Sequence, residues 1–298
     1  MRIRPFDYHS AGTLAQALEV LDLYGSEVKV LAGGTDLVVL LKEKKIAPSR
    51  LLNIQSVGEM DFVEEAGSTV RIGALARHAD LAASPLLREK VPVLAEAVGM
   101  IGSVQIRNLG TIGGNLANAS PAADAAGPLL ALGARAVIAG GNGQEEVPLG
   151  DFFTGPGQTV LKPDQLLKEI VFDLPSRRSW GGYFKLTRRQ GVDLALVSVA
   201  FQAELDRSGR RLGQVAIALG GVAPTPIRAK EAEKMLTGCS PEEAEERFSA
   251  AAQAAREATR PISDVRASAD YRRAVIEAYV RCGAEKAVSS LLGKGGGQ

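Results

Sequence analysis

Two glycine-centred segments, Gly33-Gly34-Thr35-Asp36 and Thr111-Ile112-Gly113-Gly114-Asn115, constrain the fold of this chain more than any other feature. Paired glycines let a backbone take positive φ or approach another group with no Cβ in the way. The first pair follows the β-branched run Val28-Lys29-Val30-Leu31-Ala32 and precedes the apolar run Leu37 to Leu41, so it reads as strand, glycine turn and helix start. Such a turn aims several N–H groups at one point, and the helix N-terminus adds positive partial charge, which suits a phosphate. A glycine pair by itself is more often only a turn, and neither the Walker pattern nor Gly-x-Gly-x-x-Gly is present. Two such loops in one domain suit a diphosphate flanked from two sides.

The segments around them predict an α+β fold. Apolar spacing predicts helices over 13–24, 78–84, 91–100 and 122–132, and strands over 51–54, 59–65, 69–73, 134–139 and 166–174. The polar break Pro175-Ser176-Arg177-Arg178-Ser179 marks a domain boundary near residue 177, with subdomains of about 1–55 and 56–177 before it. Beyond it, three strands over 183–187, 195–205 and 211–222 predict an antiparallel sheet, and 229–237, 241–258 and 269–291 have helical periodicity. The second domain therefore spans 178–291, and the glycine-rich tail 292–298 is expected to be disordered.

Composition removes several classes of function. Lys plus Arg at 35 against Asp plus Glu at 34 leaves a net charge of +1, no field for nucleic acid. Cys239 and Cys282 are the only cysteines, far apart, which excludes a disulfide framework and a Cys-ligated metal site. His9 and His78 are the only histidines, which excludes His-rich metal clusters and most Ser-His or Cys-His triads. No apolar run approaches the length of a membrane span or signal peptide, so the chain is expected to be cytoplasmic. No catalytic side chain and no metal ligand is assigned; the chemistry must come from a bound cofactor or a partner chain.

A specific resemblance is carried by Ala32-Gly33-Gly34-Thr35-Asp36-Leu37 and by the long run from Ile106 through Thr111, Gly113, Gly114 and Asn115 to Asp124. These resemble the two diphosphate-binding loops of the FAD-binding medium subunits of molybdenum hydroxylases, the xanthine dehydrogenase and carbon monoxide dehydrogenase family. The similarity continues through Tyr183-Phe184-Lys185-Leu186-Thr187-Arg188-Arg189 and Asp193-Leu194-Ala195 to the segment from Asp264 to Arg272, so it covers nearly the whole chain. It implies a flavin domain of the PCMH or vanillyl-alcohol-oxidase type, two α+β subdomains gripping non-covalent FAD, followed by an α+β domain of the CO dehydrogenase flavoprotein type. By this resemblance Lys29, Val30, Leu31, Ala32, Gly33, Gly34, Thr35 and Asp36 line FAD through the first loop. Thr111, Gly113, Gly114 and Asn115 would hold the diphosphate, and Ile101 and Ala117 make further contacts. Asp124 would accept from a ribose hydroxyl or the adenine side, Leu167 would pack near the ring system, and Lys185 would reach the N1/O2 edge. A cation there stabilises reduced flavin electrostatically.

Each residue keeps a plainer reading. Lys185 also reads as a solvated edge lysine, Asp124 as a helix cap or first-turn acid, and Ile101, Ala117 and Leu167 as core. Arg188 and Arg189 shape acceptor access or are a surface pair, with Asp193 orienting their loop. His78 reads as exposed at a helix start, and Arg266 and Tyr271 as packing or subunit-contact positions. Certain relatives carry four cysteines for an additional iron–sulfur cluster, which two lone cysteines cannot supply. The resemblance further implies a large molybdopterin-binding partner carrying the molybdenum cofactor, a small partner with two [2Fe-2S] clusters, and a dimer of heterotrimers. This oxidoreductase subunit would pass electrons through FAD to NAD, a quinone or oxygen, without turning over the hydroxylation substrate alone. The alternatives are a self-sufficient flavoprotein oxidoreductase of the same fold and a non-catalytic assembly subunit.

Overall fold

A computed structural model describes residues 3–189 and 191–292. The chain opens with β1 (Asp7–Ser10), α1 (Leu14–Tyr24), β2 (Val28–Leu31), α2 (Leu37–Lys42) and β3 (Arg50–Asn53), forming a three-stranded sheet in the order β1-β3-β2. Both pairings are parallel. Helix α1 forms where Leu14, Ala17 and Leu21 recur on one buried face, and the Thr13 hydroxyl caps it by accepting from the Gln16 N–H at 3.2 Å.

A second unit follows: β4 (Val63–Ala66), β5 (Thr69–Gly73), α3 (His78–Ala83), α4 (Pro85–Lys90), α5 (Pro92–Gly99), α6 (Val104–Leu109), α7 (Ile112–Ala117) and α8 (Ala126–Ala131). It continues with β6 (Arg135–Gly140), β7 (Gly143–Pro148), α9 (Leu149–Phe152), the small hairpin β8 (Phe153–Gly155) and β9 (Gln158–Thr159), and β10 (Leu166–Asp173). Its five-stranded antiparallel sheet runs β4-β5-β10-β6-β7. The six helices from α3 to α8 are inserted between β5 and β6, which are separated in the sheet by β10.

The last unit contains β11 (Ser179–Leu186), β12 (Val197–Leu205), β13 (Leu212–Gly220), β14 (Ile227–Arg228), α10 (Lys230–Leu236), α11 (Pro241–Glu257) and α12 (Ala269–Leu292). The three expected antiparallel strands are present, joined by a fourth, β14, too short to leave a periodic signal. Strand periodicity divides two cores here. Ala200, Ala216 and Ala218 pack into the cluster of the first 175 residues, while Val199, Phe201, Val215, Ile217 and Leu219 pack into the cluster of the last unit. The alanine face admits α8, all six residues of which are buried, against β12 and β13. The larger residues face α10, α11 and α12.

Two expected elements are shorter than their apolar pattern. The strand expected over 59–65 is split, because Gly58–Met60 forms a helical turn and only 63–66 is a strand. A Cβ on Gly73 would lie 2.2 Å from the Met60 carbonyl, so this turn is clamped against β5. The helix expected over 122–132 starts only at Ala126, since the Pro121 carbonyl is taken by the Gly221 N–H at 2.8 Å and Ser120 closes a turn onto Ala123. Of the tail expected to be disordered, Leu292 ends α12 and the remainder lies outside the described residues. Because α8 is wholly buried against β12 and β13, Leu129→Ala should cost about 2–5 kcal/mol, read as a lower urea midpoint with one cooperative transition.

Candidate functional site

The first glycine loop leaves β2 at Ala32, whose carbonyl accepts from the Gln55 side-chain amide at 2.6 Å. Gly34 has φ +71°, a conformation that glycine adopts without strain. Among the described residues no protein acceptor takes the N–H of Gly33, Gly34 or Thr35, which leaves three consecutive donors ahead of α2. The Thr35 hydroxyl lies 3.4 Å from Asp36 Oδ2, and Asp36 sits at the helix N-cap without a side-chain capping bond. Lys29 is exposed and Val30 half-buried on the strand leading in.

The second loop lies against the first. A Cβ on Gly33 would fall 2.0 Å from the Leu109 carbonyl oxygen and 2.9 Å from Gly110 Cα, so only glycine lets the two loops meet. The second loop is built differently from the first. Thr111 caps α7 by accepting from the Gly114 N–H at 3.1 Å, while the Ile112 and Gly113 N–H groups donate to the carbonyls of Ala76 and Ala74 at 3.0 and 2.8 Å. Gly113 is there for contact, since a Cβ on it would lie 2.5 Å from that of Ala74. What this loop turns outward is the bare face of Gly114, the half-buried Asn115 and the exposed Ala117. The Asn115 Oδ1 is buried without a protein partner. Three unengaged N–H groups, a glycine face and an unpartnered amide oxygen fit a polar, anionic cofactor segment.

A cleft of about 520 Å³ opens at the other end of α6, bordered by Met100, Ser103, Arg107, Lys185, Thr187 and Asp193. α6, six residues and about 9 Å long, runs from this cleft to the meeting point of the loops. Lys185 does not stand at a solvated edge: its side chain is 5% exposed, and Nζ donates to Asp124 Oδ2 at 2.8 Å and to the Met100 carbonyl at 2.9 Å. Asp124 does not cap α8. Its Oδ1 accepts from the Tyr183 hydroxyl at 2.6 Å. Burial raises the Asp124 pKa above the ordinary carboxylate value, and the Lys185 ammonium opposes that rise. The Tyr183 hydroxyl is pushed well up, by burial first and then by the Asp124 charge.

Ile101 and Leu167 are buried in the first core, the former with its carbonyl held by Arg107 at 2.9 Å. Arg188 and Arg189 are exposed, and their loop folds on itself, with Asp193 accepting from the Arg188 N–H at 3.3 Å and Arg189 donating to the Val192 carbonyl at 2.8 Å. Arg266 grips Asp264, whereas Tyr271 is exposed. Tyr183 was not among the expected site residues, although its position two before Lys185 on one strand puts both on the same face.

His78 departs most from its expected place. It is 2% exposed, with its ring against Gly110, where a Cβ would lie 3.2 Å from Cδ2. Burial, with a smaller contribution from the Arg107 charge, lowers its pKa from 6.5 to about 4. Its contribution to stability is therefore complete above pH 6.5 and is lost as pH falls toward 4, about 3 kcal/mol in all. Urea denaturation across that range should show this slope, and His78→Gln should flatten it.

Comparison with known proteins bears on this geometry. The sequence family described as "FAD binding domain in molybdopterin dehydrogenase" matches residues 4–175. "CO dehydrogenase flavoprotein C-terminal domain" matches 182–287. The chain is 35% identical over 286 residues to the carbon monoxide dehydrogenase medium chain of Hydrogenophaga pseudoflava, covering 93% of this chain and 98% of that one. It is 34% identical over 272 residues to the glyceraldehyde dehydrogenase medium chain of Sulfolobus acidocaldarius, covering 91% and 94%. Among solved structures, carbon monoxide dehydrogenase from Hydrogenophaga pseudoflava lacking the Mo-pyranopterin moiety matches with a TM-score of 0.91 at 34% identity, over 98% of this chain and 100% of that one.

Proposed function

This chain belongs to the family of FAD-binding medium subunits of molybdenum hydroxylases, and from that premise we propose that it carries electrons within such an assembly. The observation that supports this most directly is the arrangement about α6, with two glycine loops joined at one end and a lysine-bearing cleft at the other. That arrangement suits an extended ligand with a diphosphate at one end and a ring system at the other. When bound, FAD would supply reversible redox chemistry, accepting electrons from an iron–sulfur partner and releasing them to NAD, a quinone or oxygen. Residues 1–177 serve as the FAD-binding part and 178–291 as the C-terminal domain, the gap between β10 and β11 being the natural joint.

The chain's own residues have separate tasks. Gly33, Gly34 and Thr35 offer backbone donors to the diphosphate, and Lys29 to Ala32 and Asp36 flank it. Gly114 leaves room for close approach, with Thr111 and Gly113 shaping the loop from behind rather than donating outward. Asn115 and Ala117 border the same side. Ile101 and Leu167 give apolar backing, and Asp124 fixes Lys185, which borders the cleft. Relatives named for carbon monoxide and for glyceraldehyde share this chain at similar identity, which favours substrate selection on another subunit. A large molybdopterin-binding chain and a small chain with two [2Fe-2S] clusters are the proposed partners, in a cytoplasmic dimer of heterotrimers.

The purified chain should bind FAD with a sub-micromolar Kd, giving a flavin spectrum and no turnover of a hydroxylation substrate by itself. Failure of the folded chain to take FAD would sink the reading. Gly114→Val should weaken FAD binding at least about tenfold while leaving the circular dichroism unchanged, because a Cβ there would lie 2.9 Å from Thr111 Oγ1 and displace the threonine that caps α7 and shapes the loop. In FAD-loaded protein, Lys185→Met should lower the flavin midpoint potential, measured by spectroelectrochemistry, since a nearby cation favours the reduced, more negative form.

A further inference from the structure

We infer that Tyr183 is a positioning residue for Lys185, acting through Asp124, so that the cleft receives an ammonium group held in one place; this rests on the reading of the cleft as the flavin-ring site. Tyr183 and Lys185 project from the same face of β11, and the Asp124 carboxylate lies between their ends. Each carboxylate oxygen has its own donor: Oδ1 takes the Tyr183 hydroxyl at 2.6 Å and Oδ2 takes Lys185 Nζ at 2.8 Å. With Oδ1 engaged, the carboxylate is fixed in rotation and presents a single oxygen to the lysine. The Met100 carbonyl accepts a second Lys185 N–H at 2.9 Å, which leaves one of three ammonium donors for the cleft that Lys185 borders.

Tyr183 is buried and does not border the cleft, so it reaches a ligand there only through the other two groups. Its backbone N–H is directed at Glu96 Oε2, 3.4 Å away, which ties the strand at this point to α5. Burial also favours the protonated form of Asp124; the Lys185 ammonium opposes this most, and the Tyr183 hydrogen bond adds to that opposition. A tyrosine present only for its ring would not need its hydroxyl on the Asp124 carboxylate.

The test uses wild type, Tyr183→Phe, Lys185→Met and the double variant of the full chain. In cofactor-free protein, a pulse of acetic anhydride followed by peptide mass spectrometry should show Lys185 acetylated at least fivefold more in Tyr183→Phe than in wild type, with Lys168 on β10 unchanged as the internal control. Titration with FAD should show Kd raised about tenfold by Tyr183→Phe alone, and by less than twofold when the same change is made in Lys185→Met. Unchanged Lys185 acetylation in a folded Tyr183→Phe protein, or a fully additive loss of affinity in the double variant, would overturn the assignment. If Tyr183→Phe does not fold, Asp124→Asn cuts the same path at the next group, and a Lys185 still protected in that variant overturns it as well. A wild-type chain that takes no FAD defeats the proposed function, whereas the acetylation result decides the role of Tyr183 without any cofactor.

Discussion

An ammonium group leaves water only where other groups replace its solvation, and at Lys185 they are Asp124 and the Met100 carbonyl. These three come from distant parts of the chain: a strand of the last unit, the turn before α8 and the end of the α5 segment. Bringing them within hydrogen-bonding distance requires the two sheets and the helical insertion to dock in one relative position. The cleft is a product of that docking. It lies where the α5–α6 turn and the loop after β11 face each other across the buried pair.

The docking depends in turn on side-chain size along β12 and β13. Alanines on one face let α8 approach, and larger residues on the other form a separate core with the C-terminal helices. A Cβ on Gly127 would lie 3.6 Å from that of Ala200, ordinary contact, so the helix and strand are already at packing distance. The segregation of small from large residues is a matter of period two: β13 reads as an unbroken apolar run from Val215 to Leu219, whereas β12 places Ser198 and Gln202 beside Ala200 on the face toward α8.

Much of this was legible in the residues. The glycine loops, most strands and helices, and the α+β character follow from periodicity and turn chemistry, and the resemblance of residues 32–37 and 106–124 to FAD-binding loops agrees with the family to which the chain belongs. What could not be read was tertiary. Nothing local distinguishes a lysine on an edge strand from one whose charge is met by an aspartate 61 residues away. The same is true of His78, which is buried because α3 packs against α6. The two loops look alike in sequence, yet one has unengaged N–H groups and the other donates its own to Ala74 and Ala76, a difference set by neighbours that the motif does not contain. β14, two residues long, carries too little pattern to be seen at all.

The short helix α6 works as a ruler. Its ends touch the glycine loops at Leu109 and the cleft at Ser103 and Val104, so its length sets the span between them. Such a ruler cannot be graduated finely: adding one residue lengthens it by only about 1.5 Å but turns its face by about 100°, which would swing Arg107 away from the Ile101 carbonyl. A workable change comes only as whole turns of about 5.4 Å. Insertions and deletions within residues 103–110 should therefore be far less tolerable than substitutions there, and the reach of any ligand bound along this helix is fixed in coarse steps.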